Sequence, residues 1–417
     1  MKIAILTNAF PPDGLGGAER IAWFQAEMLA FRGHDVRVWA PSDDRTWKTQ
    51  EEDQERGESN AQRSVIEGGI HRAPPTIRRF ASSFASLNDS NPVLRLFFHL
   101  SDLLARTGVA QAIIDWKPDV LISHNLTGCG IGTPRRVAKF QIPNSKFRWI
   151  HILHDVQLAE PSGQVRSQQS SNQAIKQLCL KLWRRCWSLT RLKFFGSPDV
   201  MVSPSQWLLD WHRRYEFRGS KEMVLPNPVE IGERVTRSRY EPATIVYVGR
   251  MAEEKGFGDL LRAIPSLDLS LVGSCILIGD GPQRSDISLL NDPRIDYRGS
   301  CSNEDVHKAI AQADLLVMPS RIEENQPTVI IEAMSEGTPV IATAVGGVPE
   351  MLDGTGASLI PVDDDLAKHL ISEMKTLLSD AARWSAISIA ERQRAEQRHG
   401  MKGYVEALER VIASGAE

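Results

Sequence analysis

The sequence contains few cysteines, and none of them is spaced as a metal or redox motif. The five cysteines are Cys129, Cys179, Cys186, Cys275 and Cys301, and they include no C-x-x-C pair. An odd number of well-separated cysteines in a chain of 417 residues is not typical of a disulfide framework either. We therefore expect neither a zinc ribbon nor a disulfide-stabilised fold.

Long apolar runs are also missing. No uninterrupted apolar stretch reaches the ~18 residues that a transmembrane helix requires. The apolar start of the chain turns polar at Thr7 and meets Pro11 and Pro12, which is too early for a secretory signal. The sequence thus predicts a soluble, cytoplasmic protein.

Neither sign of charge dominates. Lysine and arginine total 49, aspartate and glutamate total 52, and the net charge is −3. This balance gives no global reason to expect a nucleic-acid partner. With 42% hydrophobic and 24% charged residues the chain has the composition of a folded protein, and its length suggests two or three domains.

Short apolar runs alternate with helical patterns from end to end. Strands are predicted at 3–6, 35–39, 119–123 and 147–153, and the pattern restarts at 244–248, 275–278, 315–318 and 339–342. Continuous apolar strands separated by helices indicate parallel sheets covered on both faces. The predicted fold class is α/β, with two Rossmann-like domains in tandem and a boundary near residue 208.

Two segments depart from this alternation. Residues 42–60 are polar and rich in acids, which predicts a surface loop. Residues 161–198 contain no acid but carry seven cations, interleaved with Trp183, Trp187 and several leucines. The second segment is predicted to form a basic helix.

Two loops that follow predicted strands carry residues suited to an anionic ligand. Gly14, Gly16 and Gly17 precede a helix, where glycine allows backbone N–H groups to approach a phosphate. The loop lacks the G-x-G-x-x-G spacing of a dinucleotide site, and a plain tight turn is the alternative. Arg250 and Lys255, just past another strand, suit a diphosphate, and two solvated surface cations are the alternative.

Glu324 and Glu332 flank the start of a predicted helix. Pro327 suits the first helical position, so the helix is expected to begin there with Gln326 as its cap. At ~1.5 Å rise per residue the carboxylates are on the order of 10 Å apart, too far for an acid–base pair acting on one bond. This spacing suits two acids that bind hydroxyls at opposite ends of a ligand, with the helix N-terminus directed at a phosphate between them. The alternative is an exposed Glu324 and an ion-paired Glu332.

Histidines follow two strands of the first half. His124 with Asn125, and His154 with Asp155, both come after the carboxyl end of a strand, where they can face one cleft. A structural role for each histidine is the alternative. The acidic run 363–365 indicates the start of a helix, and we predict no metal site there.

Taken together, these motifs resemble the retaining GT-B glycosyltransferases of the family-4 type. The resemblance spans nearly the whole chain and is strongest over 244–352. It rests on the segments 248–250, 255–256, 278–282 and 319–350 in the second half, and on 16–20, 32–34, 124–125, 154–155, 203–205 and 226–229 in the first. It is weakest over 42–115 and 161–198. Many relatives carry Gly-Phe-Gly after the first glutamate, where this chain has Asn325-Gln326-Pro327.

The resemblance implies two domains facing each other across a deep cleft, one formed by 1–208 with 396–417 and the other by 209–395. It implies that Arg250 and Lys255 neutralise the diphosphate of a nucleotide-sugar donor, while Glu324 binds the sugar and Glu332 the ribose. It places His154 near the reacting carbon of the sugar. The other implied donor-binding residues are Gly16, Gly17, Gly249, Gly281, Asn325, Gln326, Pro327 and Thr328, and the acceptor-side residues are His124 and Asn125.

The predicted reaction is transfer of a hexose-type sugar with retention of configuration. No carboxylate pair is spaced for a covalent nucleophile, so we expect front-face transfer from a UDP- or GDP-linked donor to a glycan, lipid-linked or small-molecule acceptor. Neither a metal nor a cofactor is expected, because two cations neutralise the diphosphate. The alternatives are a sugar-nucleotide epimerase of the same fold and a non-catalytic protein that binds nucleotide sugars. A nicotinamide dehydrogenase would need the missing glycine fingerprint.

The basic segment 174–195 leaves two interpretations open. It either attaches the protein to an anionic membrane surface or forms a buried helix whose cations line the acceptor cleft. In the first case the cytoplasmic protein would be peripheral at the inner face of the membrane.

Overall fold

The structure, a computed structural model, describes residues 1–10, 16–42, 76–81, 108–140, 147–160, 165, 174–233 and 239–414. Residues 43–60 of the expected acidic loop, residues 13–15 of the glycine-rich loop and the start of the basic segment lie outside the described residues.

Seven parallel strands among the described residues form the first sheet, in the order β3-β2-β1-β4-β5-β6-β7. They are β1 (Lys2–Leu6), β2 (Asp35–Ser42), β3 (Thr76–Ala81), β4 (Val120–Ser123), β5 (Arg148–Ile152), β6 (Val200–Ser203) and β7 (Lys221–Val224). Alternate residues of β1 enter different cores, with Ala4 and Leu6 on one face of the sheet and Ile3 and Ile5 on the other. Burial on both faces explains why this strand is a continuous apolar run.

Helices pack on this first sheet. Their bounds are Gly17–Phe31, here named the N-terminal helix, Val109–Trp116, Thr133–Phe140, Ala174–Phe195, named the basic helix, and Gln206–Arg214. The N-terminal helix ends before Gly33, whose positive φ of 91° is a conformation that glycine adopts without strain.

The second sheet contains six parallel strands of the described residues, in the order β10-β9-β8-β11-β12-β13. They are β8 (Ala243–Val248), β9 (Val272–Ile278), β10 (Ile295–Gly299), β11 (Leu315–Met318), β12 (Val340–Thr343) and β13 (Ser358–Ile360). The α-helices around them are Phe257–Ala263, Asp286–Leu290, Asn303–Gln312, Thr328–Glu336, named the central helix, Val348–Leu352, Leu366–Ser379 and Ala381–Arg398. Ile245 and Tyr247 point into one core and Val246 into another, so this sheet is also buried on both faces.

The first domain extends beyond the expected boundary near residue 208. Strand β7 pairs in parallel with β6, which makes it the last strand of the first sheet. Residue 208 lies inside the helix Gln206–Arg214 that connects these two strands. The chain therefore leaves the first sheet only after Val224.

The last helix, Met401–Ala413, returns to the first domain. Tyr404 and Leu408 belong to the same apolar core as Ile3 and Ile5. Arg148 of β5 donates hydrogen bonds of 3.0 and 2.9 Å to two carbonyls at the end of this helix. The chain thus crosses back between the helix that ends at Arg398 and the helix that begins at Met401.

Candidate active site

Lys255 and Glu324 meet at the carboxyl end of the second sheet. The Lys255 Nζ lies 2.6 Å from Glu324 Oε1, and the Ser320 hydroxyl donates to the same oxygen at 2.8 Å. Gly256, with a φ of 66°, brings this loop so close to Pro319 that a Cβ at position 256 would lie 1.8 Å from the Pro319 carbonyl oxygen. The glycine therefore allows the loop to hold Lys255 against Glu324, 69 residues away in sequence.

Arg250 lies on the same loop and is the more exposed of the two cations. Its guanidinium is 3.3 Å from Glu254 Oε1, and 60% of the side-chain surface is exposed. Arg250 thus lies at the mouth of the site, whereas Lys255 lies within it.

Gly281 permits close packing of the neighbouring loop, because a Cβ there would lie 2.4 Å from the Met251 carbonyl oxygen. A larger residue at position 281 would therefore push the two loops apart.

Glu332 is buried in the central helix and pairs with a residue of the other domain. Its Oε1 lies 2.9 Å from an amino group of Arg20, which is on the N-terminal helix. Arg20 is not among the site residues predicted from the sequence. The sequence feature that could have indicated Arg20 is its position in the first turn of a helix that begins with glycines.

Two helix N-termini from different domains converge beside these residues. The central helix begins at Thr328, with Pro327 at the cap position, so the expected start at Pro327 with Gln326 as cap was one residue too early. A Cβ on Gly17, the first residue of the N-terminal helix, would lie 3.6 Å from the Thr328 methyl group. Helix N-termini carry partial positive charge, so the two ends together favour an anion between the domains.

Asn325 and Gln326 contact the first domain, and the segment that follows β7, through both ends of their side-chain amides. Asn325 accepts a hydrogen bond from the Ser205 hydroxyl (2.6 Å) and donates one to the His154 carbonyl oxygen (2.9 Å). Gln326 accepts from the Asn227 backbone N–H (2.6 Å) and donates to the Pro204 carbonyl oxygen (3.0 Å). These two side chains, expected to line the donor site, are engaged in contacts between the domains.

The two histidines predicted to share a cleft are in direct contact. His124 Nδ1 lies 2.8 Å from His154 Nε2. Burial lowers the pKa of His154 to about 4 and that of His124 well below its usual value, so both rings are neutral near pH 7. His124 is fully buried and contacts His154, and its role on the acceptor side stays a prediction.

Asn125 also pairs within the first domain. Its side-chain amide donates to Asp155 Oδ2 at 3.2 Å, and Asp155 Oδ1 accepts from the Gln157 backbone N–H at 2.7 Å. Burial raises the pKa of Asp155 to about 6, and the two hydrogen bonds limit the rise. The pair holds the loop that follows His154.

Two family models match the chain in consecutive parts. The family described as Glycosyltransferase Family 4 matches residues 15–233, more than half of the chain, and that described as Glycosyl transferases group 1 matches residues 242–380. The chain belongs to glycosyltransferase family 4. Together the two matches cover both domains and the site between them.

Relatives of this family-4 glycosyltransferase include glycogen synthase of Mycobacterium tuberculosis, 31% identical over 94% of this chain and 90% of that protein. An uncharacterized 42.6 kDa protein in the cps region of Klebsiella pneumoniae is 24% identical over 84% of this chain and 87% of its own length. The putative teichuronic acid biosynthesis glycosyltransferase TuaC of Bacillus subtilis is 42% identical over 37% of this chain and 41% of its own length.

Solved structures with the same fold cover nearly the entire glycosyltransferase. Anabaena HepE in complex with UDP has a TM-score of 0.66 at 17% identity, with 99% of this chain and 100% of that chain covered. Sucrose-phosphate synthase from Thermosynechococcus elongatus has a TM-score of 0.67 at 19% identity, with 99% and 98% covered. The predicted GT-B fold of two Rossmann-like domains is confirmed.

The acidic run 363–365 of this glycosyltransferase forms local hydrogen bonds. Asp363 accepts from the Asp365 backbone N–H (2.9 Å) and lies 3.0 Å from the His369 ring, ahead of the helix Leu366–Ser379. Within the described ranges, no group of three or more histidine, cysteine or acidic side chains is arranged to hold a metal ion.

The basic helix presents different residues on its two sides. Trp187 and Arg191 are buried, with the Arg191 guanidinium over the Trp187 ring, and Arg184 pairs with Glu160. On the outer side, Leu182 and Leu189 are about half exposed. No helix in the described part of the glycosyltransferase is both long and apolar enough to span a membrane.

Proposed function

We propose that this chain is a retaining glycosyltransferase that moves a hexose-type sugar from a nucleoside-diphosphate sugar to a glycan or lipid-linked acceptor. The observation that carries the proposal is the contact between Lys255 and Glu324 beside the two converging helix N-termini. Lys255 and the helix N-termini offer positive charge to a diphosphate, and Glu324 offers a carboxylate to sugar hydroxyls.

The chemistry follows from where charge develops. Breaking the bond between the anomeric carbon and the phosphate oxygen leaves negative charge on the diphosphate and positive charge on the sugar ring. Lys255, Arg250 and the helix N-termini stabilise the diphosphate, and preorganised groups of this kind contribute several kcal/mol. Glu324 holds the sugar, and neutral His154 lies near its reacting carbon. Front-face attack, with the donor phosphate taking the acceptor proton, retains the configuration without a protein nucleophile, and this route needs no metal.

The relatives suggest which ligands to test first. Anabaena HepE has been crystallised with UDP and with UDP-glucose, so uridine donors come before guanosine donors. TuaC is named for teichuronic acid biosynthesis, and the Klebsiella protein comes from the cps region. These names support our proposal that the enzyme acts in the assembly of a cell-surface polysaccharide or glycolipid.

Retention is tested by the anomeric configuration of the product. A panel of UDP- and GDP-sugars is first screened by thermal shift, since a ligand at 100 times its Kd stabilises the fold by about 2.7 kcal/mol. The donor that binds is then incubated with acceptor, and the product is analysed by NMR. We expect the same anomer in donor and product. An inverted product would rule out front-face transfer, and donor turnover without acceptor would favour the epimerase.

We further propose that the basic helix attaches the enzyme to an anionic membrane surface. Leu182, Arg185, Leu189 and Lys193 follow each other at helical spacing of three and four residues, so they form one outward stripe. This stripe contains two leucines, two cations and no acid. Such a surface suits the boundary of an anionic bilayer, where a lipid-linked acceptor would lie.

Vesicle sedimentation tests this attachment. With anionic phosphatidylglycerol vesicles, the double variant Leu182→Ser/Leu189→Ser should bind about tenfold less than the parent protein, because it loses two apolar contacts with the bilayer. Leu289→Ser is the matched control, since Leu289 is exposed on the second domain. Equal binding of parent and double variant, or equal binding to neutral vesicles, would contradict the proposal.

A further inference from the structure

The contact between His124 and His154 joins residues that follow two neighbouring strands. Strands β4 and β5 pair in parallel, with Ser123 opposite His151, so the residues after each strand emerge at the same edge of the sheet. The two ring planes are 19° apart, and the ring centroids are 5.1 Å apart. The contacting nitrogens, at 2.8 Å, are much closer than the centroids. They therefore lie on facing edges of nearly parallel rings, the arrangement in which an N–H points at a lone pair.

A hydrogen bond between two neutral imidazoles has one donor and one acceptor. Each neutral ring carries a single proton, so the proton on the shared edge determines the tautomer of both rings. If His154 Nε2 donates, then His124 accepts at Nδ1 and carries its proton on Nε2. If His124 Nδ1 donates, His124 Nε2 is a bare lone pair and His154 carries its proton on Nδ1.

The surroundings of His124 Nε2 distinguish these two possibilities. This nitrogen is buried, and it has no hydrogen-bond partner among the described residues. An N–H buried without an acceptor is rarer in proteins than an acceptor that lacks a donor. When His124 Nδ1 donates, His124 Nε2 carries no proton, so no N–H is buried without an acceptor. We therefore assign the shared proton to His124 Nδ1.

We infer that His124 is a positioning residue for His154, donating from Nδ1 to His154 Nε2 so that His154 keeps its own proton on Nδ1. This inference rests on the proposed function. His154 Nδ1 is then a hydrogen-bond donor in a ring of fixed tautomer. Asn325 of the second domain holds the backbone of the same residue through the His154 carbonyl oxygen at 2.9 Å.

The experiment compares His124→Asn with His124→Leu, two side chains of similar shape. The amide nitrogen of asparagine can replace Nδ1 as the donor to His154, and leucine offers no donor. We expect His124→Leu to lower kcat on the order of 10- to 100-fold, the usual effect of losing a partner that orients a functional histidine, with little change in KM for the donor. His124→Asn should recover most of that loss.

A second measurement reports the tautomer without requiring activity. In protein labelled with ¹⁵N-histidine, the signals of His154 are assigned by their absence in His154→Asn. We expect a protonated Nδ1 and a bare Nε2 in the parent and in His124→Asn, and a mixture of tautomers in His124→Leu. His212→Asn is the control, because it keeps a donor for the Leu208 carbonyl and should leave the His154 signals unchanged.

Two results would overturn the inference. One is a parent spectrum with the proton on His154 Nε2, and the other is a kcat for His124→Leu within twofold of that of His124→Asn. A parent with the expected tautomer but no transferase activity would instead reject the proposed function. Thermal unfolding of both variants shows whether any loss reflects misfolding, and the NMR result for the parent decides the tautomer in either case.

Discussion

Replacing Lys255 with alanine is expected to lower the rate of sugar transfer by about 100- to 1,000-fold, the usual effect of removing one preorganised group that stabilises transition-state charge. Lys255 lies within the site, 2.6 Å from Glu324, whereas Arg250 is largely exposed at its mouth. The alanine variant therefore removes the inner cation of the diphosphate site and leaves the Glu324 carboxylate without its ion-pair partner. We expect kcat to fall more than affinity for UDP, because charge on the leaving group is largest in the transition state.

The matched control for this variant is Lys308→Ala. Lys308 belongs to the same domain and also forms a 2.6 Å ion pair, with Glu304, but it is exposed on the helix Asn303–Gln312. The control should transfer sugar within twofold of the parent rate. If Lys255→Ala kept more than a third of the parent rate while binding donor normally, the diphosphate would have to be stabilised elsewhere.

The sequence predicted most of the fold because buried parallel strands are continuous apolar runs. Strands β1, β4 and β5 are nearly or fully buried and match the strands predicted at 3–6, 119–123 and 147–153. Strand β6 is also fully buried, but it has only four residues and was not predicted. Strand β7, with the sequence Lys-Glu-Met-Val, is an edge strand in which no residue is fully buried. An edge strand needs no apolar run, so residues 221–224 carry no strand pattern, and the first sheet extends beyond the expected boundary near residue 208.

The strand pattern of the sequence predicts which loops contribute to the candidate site, but it does not predict which side chains pair there. Lys255 and Glu324 follow strands β8 and β11, which are adjacent in the sheet, so their proximity follows from the parallel topology. The Arg20–Glu332 pair joins residues 312 positions apart in different domains, and it depends on how the two domains dock. The interdomain contacts of Asn325 and Gln326 depend on the same docking, which a pattern within one segment does not encode.

Lowering the pH from 7.5 to 5 is expected to destabilise the first domain by several kcal/mol. Burial lowers the pKa of His154 and His212 to about 4, and it lowers the pKa values of His124 and His151 well below 6.5. The unfolded chain takes up protons at these histidines below about pH 6.5. The folded chain takes up protons at His154 and His212 only near pH 4, and at His124 and His151 only well below pH 6.5. The free energy of unfolding is therefore not reduced by these histidines above about pH 6.5, and it decreases as the pH falls toward 4.

Asp155 opposes this trend. Its pKa rises to about 6 in the folded chain, so the folded state holds a proton there that the unfolded state has released between about pH 4 and 6. That difference favours the folded state as the pH falls. At pH 5, a histidine with a folded pKa of about 4 contributes about 2 kcal/mol of destabilisation, and one carboxyl of this kind offsets a little over 1 kcal/mol. Burial also raises the pKa of Glu27, which acts in the same direction as Asp155. The four histidines outweigh these two carboxyls, so a net loss remains.

The expected loss corresponds to a fall in Tm of roughly 10 °C or more for a domain of this size. Differential scanning calorimetry at pH 7.5 and pH 5 measures it. The variant His212→Asn keeps the hydrogen bond to the Leu208 carbonyl but cannot take up a proton. Its fall in Tm between pH 7.5 and pH 5 should therefore be smaller by the contribution of one histidine. A Tm that stays constant at pH 5 would mean that the pKa values of these histidines are not lowered in the folded chain, and a Tm that rises would mean that they are raised. Either result would contradict the burial of these histidines as neutral rings.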